Sequence, residues 1–184
     1  MNREQLSDEQ LMQAVADGDR ERYGELIRRY DRRLMAFLLR MVGDLHRAED
    51  LLQEVLLAIW NGRKRYQKPR PFRGWVYGIA INQCRAEARR KRPVPLGDVA
   101  ENQSSEASPD AQAETAEHRR IVIAAVGQLS ADQREVVVLR LYEQMAYAQI
   151  ATIVDRPEGT VRSVMFHALA RLRRELSPIL KISG

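Results

Sequence analysis

A single cysteine among 184 residues, Cys84, excludes an internal disulfide. The three histidines, His46, His118 and His167, are far apart in sequence, so no metal site is expected. No apolar run approaches the roughly 20 residues that span a bilayer. Arg3, Glu4 and Asp8 break the hydrophobicity that an N-terminal signal peptide needs. These absences predict a cytoplasmic chain without membrane insertion. There is no glycine-rich loop to cradle phosphate, no nucleophile elbow and no internal repeat. An enzyme is therefore not expected, and neither is a cofactor.

What is present is charge, and it is clustered. The formal net charge of +5 is modest, but a pI near 9.6 suits a polyanionic partner when the cations gather in one place. From Asn61 to Arg73 they do: Arg63, Lys64, Arg65, Lys68, Arg70 and Arg73 occur without an acid, and Pro69 and Pro71 predict a loop. Gly97 to Glu117 is the reverse, with six acids and no base. With few large apolar residues this stretch cannot build a core and reads as a flexible linker. About twenty such residues span some 25 Å on average, so the modules on either side need not touch. Ser108-Pro109-Asp110 suits a first helical turn inside it.

Helical periodicity dominates elsewhere. Ser7-Asp8-Glu9-Gln10 fits a capping box opening a first helix. A second helix follows from about Asp19, and Gly43-Asp44 ends it and caps a third. In the third, Ala48, Leu51, Leu52, Val55, Leu56, Ile59 and Trp60 make an apolar face, with Glu49, Asp50, Gln53 and Glu54 opposite. A fourth helix is predicted from about Phe72 to Arg90, aromatic at its start and basic at its end. After the linker, Ile121, Val122, Ala125 and Val126 form a helical face, and Ser130-Ala131-Asp132-Gln133 is a second capping box. The β-branched run Val136-Val137-Val138 is the one strand candidate, and the caps around it favour helix. The expected fold is all-α: a helical domain at 1–94, a flexible acidic linker at 95–117 and a second helical domain at 118–184.

The C-terminal domain ends in a helix pair. Tyr147, Ile150, Ala151 and Val154 line one stripe, Asp155-Arg156-Pro157-Glu158-Gly159 interrupts it, and Val161, Met165, Ala168 and Leu172 resume it. Thr160 is the expected N-cap, with Gly159 supplying unusual backbone angles before it. Such a pair is either a helix-turn-helix, whose second helix can enter a DNA major groove, or a plain αα-hairpin in a bundle. Two other clusters also admit two readings. The cations of the loop and the rings of Phe72, Trp75 and Tyr77 suit single-stranded nucleic acid, with phosphates tracked and bases stacked. Alternatively the rings are core and the arginines a solvated face. The acidic back of the third helix is either solvated or a partner-binding surface.

The order of several motifs resembles one family. Asp31-Arg32-Arg33-Leu34, Ala48-Glu49-Asp50-Leu51-Leu52-Gln53-Glu54-Val55 with Trp60, and Phe72-Arg73-Gly74-Trp75-Val76-Tyr77-Gly78-Ile79-Ala80-Ile81-Asn82 resemble region 2 of bacterial RNA polymerase sigma factors. Leu129-Ser130-Ala131-Asp132-Gln133-Arg134-Glu135-Val136, Ile150-Ala151 and Gly159-Thr160-Val161-Arg162-Ser163 are similar to region 4 of the compact extracytoplasmic-function (ECF) group of the sigma-70 family. The resemblance implies a promoter-specificity subunit that binds core RNA polymerase through its β′ and β subunits, recognises promoter DNA and helps melt it. It assigns Glu49, Asp50, Gln53 and Glu54 to the β′ clamp. It assigns Asn82 to a flipped base of the −10 element, with Arg65, Lys68, Phe72, Arg73, Trp75, Tyr77, Arg85 and Arg89 around it. It assigns Thr160, Arg162, Ser163, Phe166, His167 and Arg171 to the −35 element, and it implies an anti-sigma factor as a further partner.

The chain departs from the family pattern where Val164 and His167 stand in place of two arginines. An arginine–guanine pair contributes about 1–3 kcal/mol of discrimination, so −35 readout should be shifted or weakened. Gln149 replaces a glutamate before Ile150-Ala151. Two other functions fit parts of the sequence: a helix-turn-helix regulator acting alone on duplex DNA, and a helical protein-binding module.

Overall fold

The computed structural model describes residues 6–66, 70–90 and 120–178 and the backbone of 179–180, and among them every regular element is helical. Lys68, Pro69 and the 95–117 linker, with its predicted turn at Ser108-Pro109-Asp110, lie outside the described residues. An N-terminal module comprises α1 (Asp8–Ala16), α2 (Arg20–Val42), α3 (Leu45–Gly62), a 3₁₀ turn (Arg63–Arg65) and α4 (Phe72–Arg90). The C-terminal module comprises α5 (120–127), α6 (Ala131–Val137), a π turn (Val138–Tyr142), α7 (Tyr147–Val154) and α8 (Glu158–Leu180).

Several boundaries have a local cause, and the start of α4 is held from across the module. Both predicted capping boxes form: Ser7 with Gln10, and Ser130 with Gln133. Gly43 ends α2 at φ 71°, a left-handed angle that glycine adopts without steric cost, and Asp44 caps α3 by accepting from the Arg47 N–H at 2.8 Å. The Glu9 carboxylate receives the Phe72 N–H at 3.1 Å, so α1 supplies an acid to the opening turn of α4. The predicted Asn61–Arg73 loop is shorter than expected. Asn61 and Gly62 continue α3, and Arg63–Arg65 add a 3₁₀ turn, because Arg63 folds back over the Trp60 ring at 4.1 Å and donates to the Trp60 carbonyl at 2.7 Å.

The core of the N-terminal module is aromatic along one side of α4. The Phe37 and Tyr77 rings meet edge-on at 5.1 Å, and Tyr30 meets Phe72 at 5.2 Å. Trp75 and Tyr66 pack beside Phe72 at 5.9 and 6.0 Å. In the C-terminal module, Val161, Met165, Ala168 and Leu172 are all buried, as their spacing predicts. Val136–Val138 is helical. The backbone then widens into the π turn, where the Glu143 N–H reaches the Val138 carbonyl at 3.1 Å.

The helix pair forms, but its turn differs from expectation. Asp155, not Gly159, takes the left-handed angle, at φ 57°, and α8 starts at Glu158 rather than after Thr160. Aspartate is one of the few side chains that tolerates this region, and Pro157 presets the entry to α8 while its carbonyl accepts the Val161 N–H at 3.1 Å. Gly159 is thus an ordinary helical residue with open space where a Cβ would stand. Gly159→Ala should stabilise the module by about 0.4–1 kcal/mol in urea unfolding. Destabilisation would mean that this turn needs glycine.

The modules also touch, although the length of the linker does not require it. The α2–α4 side of the N-terminal module packs against α7 and the π turn.

Candidate nucleic-acid interface

Three surfaces carry the predicted site residues. The first is α3. Glu49, Asp50 and Gln53 are exposed and Glu54 is half-buried, because the opposite face of the helix fills the core. His46 and Arg47, one turn earlier, lie 3.5 Å from Glu49 and Asp50 respectively. Leu57, 61% exposed, continues this polar face. Sequence reasoning missed it, although it stands four residues beyond Gln53 and opposite the buried stripe.

The second surface surrounds α4, and the structure divides its predicted residues. Arg65, Asn82 and Arg89 are exposed, and Asn82, Arg85 and Arg89 recur at i, i+3, i+7 along one side of the helix. Phe72 and Tyr77, predicted to stack on bases, are fully buried, and Trp75 is half-buried. Their rings belong to the core here and are not open to a base. Periodicity could have indicated this: Phe72, Val76, Tyr77 and Ala80 fall on one buried stripe of the helix.

Arg73, Tyr77 and Arg85 instead meet the C-terminal module. Glu135 on α6 is 2% exposed and accepts two hydrogen bonds from Arg85, 2.8 Å from Nε and 2.7 Å from Nη2. A bidentate fork of this kind is the strong form of the ion pair, and the bond to Glu135 raises the pKa of Arg85. Glu143, just after the π turn, is 4% exposed. Its carboxylate accepts from the Tyr77 hydroxyl and lies 3.3 Å from Arg33 and 3.5 Å from Arg73. Arg73 also donates to the Glu143 backbone carbonyl. Burial, and then the bond to Glu143, raise the Tyr77 pKa, so the phenol stays protonated and donating.

Two further contacts close this interface. Arg40 stacks over the Tyr142 ring at 4.2 Å, and Arg134 donates to the Met41 carbonyl at 2.6 Å near the end of α2. Cys84 lies on α4 between Tyr77 and Arg85, near Glu135 and Arg134, and burial pushes its thiol up to about 12. Sequence reasoning missed Arg33, Glu135 and Glu143, since each reads locally as a solvated helical charge.

The third surface is the outer side of α8. Thr160, Arg162, Ser163, Phe166 and His167 are exposed, and Arg171 is half-exposed and paired to Glu175 at 2.9 Å. Phe166 is 70% exposed, with the His167 ring 5.5 Å away. Arg162 lies over the Tyr147 ring at 4.5 Å and bonds Glu158 at 2.5 Å. Val164 turns inward and packs against the core. Among the described residues no group of histidine, cysteine and carboxylate side chains could hold a metal, and no helix is long and apolar enough to cross a membrane.

Comparison with known proteins places the chain in a family. Residues 26–94 match the family described as Sigma-70 region 2, and residues 119–172 match Sigma-70, region 4. The chain is 30% identical to the RNA polymerase sigma-H factor of Pseudomonas aeruginosa, over 96% of this chain and 97% of that one. It is 30% identical to the ECF RNA polymerase sigma-E factor of Escherichia coli K12, over 97% and 98%. The fold resembles that of CnrH in complex with the cytosolic domain of CnrY, with a TM-score of 0.72 and 23% identity over 94% of this chain and 98% of that one. It also resembles the sigma factor RpoE of Bartonella quintana in complex with the anti-sigma factor NepR, with a TM-score of 0.70 and 23% identity over 84% and 96%. The chain belongs to the sigma-70 family of RNA polymerase sigma factors, in its ECF group: a transcription-initiation factor rather than an enzyme, which binds core RNA polymerase and promoter DNA.

Proposed function

We propose that the sigma-factor role is divided among the three surfaces, and the exposure of Asn82 beside the otherwise engaged residues of α4 carries this reading. The α3 face of Glu49, Asp50, Gln53 and Glu54 docks on the β′ clamp of core polymerase. Leu57 supplies an apolar contact within that polar patch. Residues 1–94 form the core-binding and −10 module, 95–117 the linker, and 118–184 the −35 module, which also contacts β. The chain works in the cytoplasm. The sigma factor RpoE of Bartonella quintana is crystallised with the anti-sigma factor NepR, and we infer a partner of that class here.

Asn82 holds a flipped base of the −10 non-template strand, with Arg65, Lys68 and Arg89 on the flanking phosphates. Capturing the base as it unstacks offsets a cost of a few kcal/mol. Asn82→Ala should slow promoter opening, read by permanganate footprinting, while leaving duplex binding within about twofold, because base contacts and phosphate contacts separate specificity from positioning. Equal loss in both assays would remove Asn82 from this role.

On α8 the exposed row opens on Arg162, followed by Ser163, Phe166 and His167, with Arg171 half-exposed beyond them. Val164 is turned inward, so the face is less cationic than the family pattern supplies. Phe166 suits an apolar contact with a thymine methyl group. Arg162→Ala should weaken binding to −35 duplex by about 1–3 kcal/mol. Unchanged affinity would show that α8 is not the reader.

A further inference from the structure

Three donors from two helices of region 2 converge on one carboxylate of region 4. Tyr77 and Arg73 come from α4 and Arg33 from α2, and Glu143 fills the space between them. Two guanidinium groups and a phenol face a single carboxylate, so the pocket holds more donor capacity than Glu143 uses. Planar guanidinium groups beside a protonated phenol recognise a phosphodiester as readily as a carboxylate, since both present two anionic oxygens.

We propose that Arg33, Arg73 and Tyr77 form an anion site that takes a DNA backbone phosphate, and that Glu143 occupies it when the two modules are docked. Docking of region 4 and phosphate binding at this site then exclude one another. The inference rests on the reading that α4 meets promoter DNA. It adds Arg33 as a DNA contact and Glu143 as an internal competitor.

Cys84 reports the docked state, because it is buried on α4 between Tyr77 and Arg85 and is the chain's only cysteine. Maleimide labelling of the full-length protein reads opening, and fluorescein-labelled oligo(dT) reads phosphate binding without any demand on sequence. Glu143→Gln keeps the shape and removes the charge. It should speed Cys84 labelling and tighten oligo(dT) binding by a common factor of about ten or more, since apparent affinity follows the competent fraction. Arg33 is half-exposed, so its replacement leaves the core intact. Arg33→Gln in the wild-type background should speed labelling without a matching gain in affinity. In the Glu143→Gln background it should reduce the slope of log K against log salt by about 0.7, the value for one phosphate on a single strand.

Faster labelling by Glu143→Gln with unchanged affinity, or an unchanged salt slope on removing Arg33, would overturn the anion site. Unchanged labelling would overturn the competition. Run-off transcription by the wild-type holoenzyme stands apart from these results: initiation without an Arg33 effect refutes this inference alone, whereas no initiation refutes the functional reading beneath it.

Discussion

Phe37→Ala should destabilise the N-terminal module by about 3–5 kcal/mol, a large part of the stability of a domain this size. Phe37 is fully buried, so truncation both loses transfer free energy and leaves a cavity among α1–α4 side chains. The damage also reaches the interface. The Phe37 ring supports the edge of Tyr77 at 5.1 Å, and Tyr77 aims its hydroxyl at Glu143. Urea unfolding should therefore show a lower midpoint, together with faster labelling of Cys84 before the main transition. Phe166→Ala is the matched control, the same substitution at a ring that is 70% exposed. Its stability should change by no more than about 0.5 kcal/mol. A loss of several kcal/mol at Phe166, or less than about 1 kcal/mol at Phe37, would contradict the core described above.

Arg85→Ala and Glu135→Ala should differ although they remove the two halves of one ion pair. Losing Arg85 leaves the Glu135 carboxylate, 2% exposed, without its two guanidinium bonds. An uncompensated buried charge of this kind costs about 3–5 kcal/mol. The protein can avoid that cost by undocking the modules so that Glu135 reaches water. Arg85→Ala should therefore open the molecule, seen as a larger radius of gyration and rapid maleimide reaction at Cys84. Losing Glu135 instead leaves Arg85 with a side chain already 31% exposed, which turns to solvent at little cost. Glu135→Ala should open the molecule less and should tighten oligo(dT) binding in step with that opening, because it spares every proposed DNA contact. Equal opening by both variants would mean that the pair acts through shape and not through the buried charge.

Much of the fold was legible in the sequence because its signals were local. The Ser7–Gln10 and Ser130–Gln133 boxes and the Gly43-Asp44 joint each depend on residues within a turn or two. The turn before α8 was misread for a local reason too. A glycine in the first helical turn looks in sequence like a glycine needed for positive φ, while the residue that takes that angle is Asp155. The exposed sides of α8 and α3 were legible as surfaces because each lies opposite a buried stripe. The docked interface was not. Arg85 and Glu135 are 50 residues apart and Tyr77 and Glu143 are 66 apart, and nothing local separates these side chains from solvated ones. The burial of Phe72 and Tyr77 is a different case, since composition does not say on which side of α4 an aromatic ring falls but the spacing with Val76 and Ala80 does.

The most direct measurement mixes the purified chain with sigma-free core RNA polymerase and a promoter library. Co-elution with core and run-off transcripts from a discrete set of promoters are the predicted result. Failure to co-elute, with no transcript above that of core alone, would contradict the account.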